Sequence, residues 1–226
     1  MYLKVLFNNM KISIETKKVV VLTLFCVALL VGRAVITQQI MGLFLVWNLF
    51  LAWLPLVFIL ITRRLFHKTN NIKLAWAGIM LWLLFFPNAP YIITDLIHIA
   101  EISQRIIWFD SLGIFIVAIT GLMVGLYSLS ITHRLLRKLF SSQIAWLMVV
   151  FFSIISGFGV YLGRFVRLNS WDLFTNPFSL TKTIIHQFRN PLCWQMTFVF
   201  GVTILVFYWV MEVQEQRKSN LLTNEF

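Results

Sequence analysis

Acidic residues are scarce in this chain. Of 226 residues only eight are Asp or Glu, against nineteen Lys or Arg, and charged residues of both signs reach 12%. Soluble domains carry about a quarter of charged residues, so the composition excludes a soluble enzyme. Cysteine is nearly absent too. Cys26 and Cys193 are too few for a disulfide framework and have no metal-ligand spacing. One falls in the middle of an apolar run and the other at the edge of a different run, which puts a bridge outside the roughly 7 Å that Cα atoms tolerate. The chain has no H-E-x-x-H, no G-x-S-x-G and no histidine-plus-arginine signature of a lipid phosphatase. It also lacks a Ser- or Gly-rich linker, a low-complexity tract and an internal repeat that would divide it.

What the chain has is hydrophobic length. Sixty percent of it is hydrophobic, in runs at about 19–36, 42–61, 74–93, 108–131, 144–163 and 193–211. Each is long enough to cross a hydrocarbon core of roughly 30 Å. The reading is an all-α polytopic transmembrane bundle of about six spans. One transmembrane domain covers 19–211, preceded by a basic segment at 1–18 and followed by a polar tail at 212–226. The first run follows four lysines, as a signal peptide would, but Arg33 and Gln38-Gln39 stand where a small-x-small cleavage site belongs, so it is read as an uncleaved span. Pro55 inside the second run predicts a kink. Gly121-x-x-x-Gly125 and Gly159-x-x-x-Gly163 predict that spans four and five touch each other.

The net charge of +11 raises nucleic acid as a partner, but the basic residues lie between oily runs instead of in one patch. The partner is therefore a lipid bilayer and not nucleic acid. Lys and Arg number four at the amino end, four at 63–73, three at 132–143 and two in the tail, against five on the other side and Arg33 within the first span. That bias places both termini in the cytoplasm, on the inner side of a cell membrane. All three aspartates of the chain, Asp95, Asp110 and Asp172, then fall at the outer edge. So do Arg33, Asn88, Tyr91, His98, Tyr161, Arg164, Arg167 and His186, while the inner halves of the spans read as almost wholly apolar. Groups at a membrane edge avoid mid-bilayer cost only by pairing or meeting water, so the outer residues are expected to converge. His67 and His133 read as bystanders in basic loops.

The stretch Phe85-Phe86-Pro87-Asn88-Ala89-Pro90-Tyr91-Ile92-Ile93-Thr94-Asp95-Leu96-Ile97-His98 organises the rest. Pro87 and Pro90 each remove an N–H, and Ala89, standing before a proline, is pushed from helical angles. The third span should end or break there, with carbonyls to be satisfied by protein, and Asn88 carries two N–H donors for that purpose. Thr94 or Asp95 would cap the next helix. That helix, at 95–107, reads as amphipathic, with Asp95, His98, Glu101 and Arg105 on one face and interfacial lipid as its setting. Asp110 stands in the first turn of the fourth span, where the helix dipole favours a carboxylate.

PNAPYIITDLIH, followed at 163–172 by GRFVRLNSWD, resembles an uncharacterised family of bacterial polytopic membrane proteins, a domain of unknown function. The resemblance covers most of the chain after the first span. It implies an integral membrane protein and carries over no activity.

Three uses of the outer cluster compete. In the first it is structural, with Arg33, Arg164 and Arg167 neutralising Asp95, Asp110 and Asp172. In the second it is the site of a hydrolase or transferase. Asp95, His98 and Asp172 are the catalytic candidates, since a carboxylate that orients an imidazole makes a general base. Asn88, Tyr91, Arg164, Arg167, Asn169 and Trp171 would hold an anionic lipid or lipid-linked envelope precursor, because guanidinium groups match phosphate oxygens. Asp95, His98 and one further acid would also make a ligand set for a divalent metal, although D-x-x-H alone is no metal motif and the cofactor is left unknown. In the third the broken helix serves a transporter. Alanine at Asp95, His98, Arg164 or Asp172 is expected to abolish function without affecting insertion.

Overall fold

In the computed structural model, which describes residues 14–38, 42–101, 107–175 and 177–224, every regular element is a helix. Helix α1 is Ile14–Thr37, α2 is Leu43–Thr69, α3 is Ile72–Phe85 and α4 is Asn88–Tyr91, which passes into a 3-10 helix at Ile92–Glu101. Helix α5 is Ile107–Leu139 and α6 is Ser142–Tyr161, closed by a π turn at Leu162–Val166. The short α7 (Asp172–Thr175) and α8 (Pro177–Gln187) lead to α9 at Pro191–Asn224. Among the described residues six stretches are long and apolar enough to cross a membrane: Thr16–Thr37, Phe44–Thr69, Ile72–Ile97, Ile107–Leu139, Ser142–Val166 and Pro191–Gln214. The protein is a multi-pass membrane protein.

Local chemistry sets the ends. Asn71 caps α3 by accepting from the N–H groups of Lys73 and Leu74 at 3.0 and 3.3 Å, and Ser141 accepts from Ile144 N–H at 3.4 Å to start α6. Asn70 takes the left-handed conformation that closes α2, its N–H donating to Phe66 O. Helices α2, α5 and α9 outrun their apolar runs. His67 and Lys68 end α2 and Arg137 and Lys138 end α5, and cations are favoured in a last turn.

Helix α5 is the axle. Within its most apolar window 78% of residues are buried, against 22% for α1. Helices α1, α2 and the third span wrap one side of it, and α6 and α9 pack closely on each other at the other. Two cores result. One surrounds Leu49, Ala89, Ile92 and Val117, and the other surrounds Trp82, Tyr127, Phe152 and Tyr208.

Helices α5 and α6 touch each other, as expected, but their glycines pack on a third element. A Cβ on Gly121 would lie 2.5 Å from Ile92 Cδ1 and one on Gly125 would lie 2.6 Å from the Ala89 methyl. A Cβ on Gly159 would strike the Pro87 ring, and one on Gly163 would lie 3.2 Å from the Tyr91 ring. Both pairs therefore face the proline segment, which is wedged between α5 and α6.

Candidate functional site

The third span changes character at Phe86 yet stays right-handed, with Phe86, Pro87 and Ile92 all at α-helical angles. Its disturbed turn is satisfied from three sources. Ala89 N–H donates to Phe86 O at 3.1 Å, the Asn88 amide donates to Phe85 O at 2.9 Å, and the Ser170 hydroxyl donates to Leu84 O at 3.0 Å. Asn88 Nδ2 also lies 3.2 Å from Ser170 Oγ. The proline motif and the later Asn-Ser-Trp-Asp motif are thus bonded to each other.

Neither Thr94 nor Asp95 caps a new helix. The 3-10 helix begins before them, at Ile92, because the chain never leaves helical angles. Thr94 Oγ1 donates back to Tyr91 O at 2.6 Å. Asp95 is buried; it accepts from Asn48 Nδ2 at 2.7 Å and pairs with Arg164 Nη1 at 3.5 Å. The amphipathic helix expected at 95–107 is present as this 3-10 helix at Ile92–Glu101, which starts three residues earlier, and Arg105 lies outside the described residues. The His98 side chain likewise lies outside what is described.

The π turn carries Arg164 and ends at Arg167, whose φ of 59° is left-handed. Leu168 N–H closes the turn on Leu162 O at 3.2 Å. Such turns concentrate at functional sites, and a bulky residue at positive φ is uncommon. Asp172 does not pair with Arg167. It accepts from Asn169 N–H at 2.6 Å while its own N–H donates to Asn169 O at 3.0 Å, a local turn that occupies the carboxylate. Asp172 and Trp171, which is 37% exposed, stand outside the cavity described next. Arg33 holds Asp110 through two bonds of 2.8 and 2.9 Å, both groups buried, so Asp110 is an ion-pair partner as well as a first-turn acid.

A cavity of about 760 Å³ opens between α2, the third span, the end of α6 and α8. Asn48, Asn88, Arg164, Arg167, Asn169 and Ser170 supply its polar lining. Trp47, Leu51, Leu84, Leu162, Leu180 and Ile184 supply apolar walls, and Tyr91 completes it. Of the residues expected at the outer site, Asn88, Tyr91, Arg164, Arg167 and Asn169 line this space together. The connection after α6 is tied down beside it, with Tyr161 Oη donating to Gln187 Oε1 at 2.6 Å and accepting from Asn190 Nδ2 at 3.0 Å. Asn48 and Ser170 were not assigned to the site from sequence. The signal for Asn48 was an amide inside an otherwise apolar run. Among the described residues no three His, Cys, Asp or Glu side chains gather in a metal-binding arrangement.

The family model described as Protein of unknown function (DUF1361) matches residues 47–208. The chain belongs to the DUF1361 family. The match takes in both motifs and every lining residue of the cavity. No curated protein and no solved structure matches the chain.

The opposite end of this DUF1361 protein is not bare, contrary to the sequence reading. Helix α5 continues as helix past residue 131, which draws His133 out of the expected loop and into the packed interior, 1% exposed. Its Nδ1 lies 2.6 Å from Tyr208 Oη, and Tyr208 Oη donates to Glu212 Oε2 at 3.3 Å. Trp82 Nε1 donates to Ser128 Oγ at 3.0 Å, and Thr16 Oγ1 lies 3.0 Å from Tyr127 Oη. These groups were missed because each looks apolar-compatible or loop-like when read one at a time.

Proposed function

We propose that the cavity binds an amphiphile with an anionic headgroup, of the chemistry found in an anionic lipid or a lipid-linked envelope precursor. The observation that carries this is Arg167. It lines the cavity, is exposed, sits at left-handed backbone angles and has no acidic partner among the described residues. A non-glycine residue held in that conformation carries a backbone cost that other interactions must offset, and a guanidinium at a cavity wall matches phosphate oxygens in a bidentate way. Arg164, already paired with Asp95, supplies a second positive group in a fixed position. The apolar walls suit an acyl or prenyl chain. The charge bias of the loops orients the cavity outward from a bacterial cytoplasmic membrane, with both termini in the cytoplasm.

The test is retention of lipid by the purified chain in nanodiscs, read by native mass spectrometry. A phosphatidic-acid probe should be retained over a neutral diacylglycerol of the same chains, and Arg167→Gly should abolish the preference. Equal retention of both probes would refute the reading. A reporter fused to the carboxyl end should be active only in the cytoplasm.

A hydrolase or transferase step on the bound headgroup is the second reading, favoured by one observation. Residues three apart line up along a 3-10 helix, so position 98 follows Asp95 on the same side of the Ile92–Glu101 segment. Conversion of the retained phosphatidic-acid probe, lost in His98→Ala and in Asp95→Asn, would establish chemistry. Unchanged probe mass would leave binding alone.

A further inference from the structure

The buried cluster at the other end of the bundle holds a group with an unfilled position. His133 lies where α5 meets the closely packed α6–α9 pair. Glu212, 6% exposed, accepts from Tyr208 Oη at 3.3 Å and from Arg137 Nη1 at 3.5 Å. A carboxylate only accepts, so Tyr208 directs its single proton to Glu212. The 2.6 Å contact between Tyr208 Oη and His133 Nδ1 then places the ring proton on Nδ1. Nε2 is left as a bare acceptor, and it is buried with no hydrogen-bond partner among the described residues. Buried polar groups are ordinarily partnered, so this lone pair calls for an occupant.

The surroundings fit one occupant. The Trp146 ring stands 4.7 Å from the imidazole, centroid to centroid, at 66°, within the range over which an aromatic ring attracts a cation. The charges that bear on His133 are Glu212 from α9 and Arg137 and Arg134 from its own helix. Tyr208 is the other titratable group in contact, and α6 carries no charged residue in its length. The Glu212 carboxylate, shared with Arg137, thus stands beyond Tyr208 on one side of the imidazole.

We propose that His133 Nε2 is a proton-binding site at the junction of α5 with the α6–α9 pair. The proton comes from water at that end of the bundle and adds to the Nε2 lone pair. No covalent bond breaks; Nδ1–H continues to donate to Tyr208 and Tyr208 to Glu212. The ring gains one positive charge, held between the Glu212 side and the Trp146 ring. The site lies in a core cluster separate from the one that holds Ala89 and Ile92, and the proposal does not depend on what the outward cavity binds.

The test uses the full chain labelled with 5-fluorotryptophan in nanodiscs, with the Trp146 fluorine resonance assigned by its absence in Trp146→Phe. The resonance should shift in one step as the pH is lowered, when the imidazole takes up its proton. His133→Gln should abolish the step. Glu212→Gln removes the balancing charge and should move the midpoint to lower pH while keeping the step. A resonance that does not move with pH overturns the proposal, as does a step that persists in His133→Gln. Should His133→Gln not fold, an unmoved midpoint in Glu212→Gln overturns it instead.

Discussion

The Ser170 hydroxyl donates to the main-chain carbonyl of Leu84 at 3.0 Å, across 86 positions of sequence. With the Asn88 amide on the same hydroxyl at 3.2 Å, one side chain of the connection after α6 completes the disturbed turn of the third span. Inside lipid, backbone groups need partners from protein. Ser170→Ala should therefore destabilise the protein by about 0.5–1.5 kcal/mol, the net worth of a hydrogen bond between part-buried groups. Equilibrium unfolding in mixed micelles would measure it, and a loss below a few tenths would show that water takes the place of the hydroxyl.

Arg33 and Asp110 bond twice, at 2.8 and 2.9 Å, in buried surroundings. Removing either charge alone strands the other. Arg33→Met or Asp110→Leu should each cost about 3–5 kcal/mol, and the double substitution should cost much less than their sum. A double-mutant cycle on the unfolding free energy checks this, and additive losses would mean the two groups do not depend on each other.

Arg164 and Arg167 share a cavity wall but should respond oppositely to substitution. Arg164→Ala removes the cation facing the buried Asp95 carboxylate and should cost roughly 1–3 kcal/mol. Arg167→Gly places at φ 59° the residue that adopts it without a Cβ penalty, and should leave stability unchanged or raise it by up to about 1 kcal/mol. The comparison separates a residue kept for structure from one kept for what it binds. A large loss in Arg167→Gly would assign it to structure too.

The membrane class and the six helical spans were legible because hydrophobic length and the distribution of Lys and Arg report them directly. The gathering of Asn88, Tyr91, Arg164, Arg167 and Asn169 around one space followed from their common depth. Pairing was less legible. Asp172 turns on Asn169 instead of meeting Arg167, a choice made by two-residue backbone geometry that charge arithmetic does not contain. His133 was hidden because the helical tendency of Thr132-His133-Arg134-Leu135-Leu136-Arg137 extends α5 beyond its apolar run. The glycine pairs signalled close approach correctly as a type of contact. Their partner, a helix interrupted by prolines, lies in no sequence rule for such pairs.

That wedge gives a fourth expectation. Gly125→Leu and Gly159→Leu push side chains into Ala89 and the Pro87 ring and should each cost at least about 1–3 kcal/mol, as overpacked cores do. A methyl added at Gly32 would meet nothing within 4 Å, so Gly32→Ala should be neutral or slightly stabilising through helix propensity. Unfolding free energies of the three variants decide it.

Positions 89 and 125 have room for a single methyl between them, since a Cβ added at Gly125 would lie 2.6 Å from the one Ala89 already has. What is fixed there is a shared volume, and neither letter alone. Exchanging the two, with glycine at 89 and alanine at 125, should restore most of what Gly125→Ala loses by itself. Relatives of this chain are then expected to change at these two places together, so that covariation between residues 36 apart in sequence would mark where the interrupted span rests on the axle.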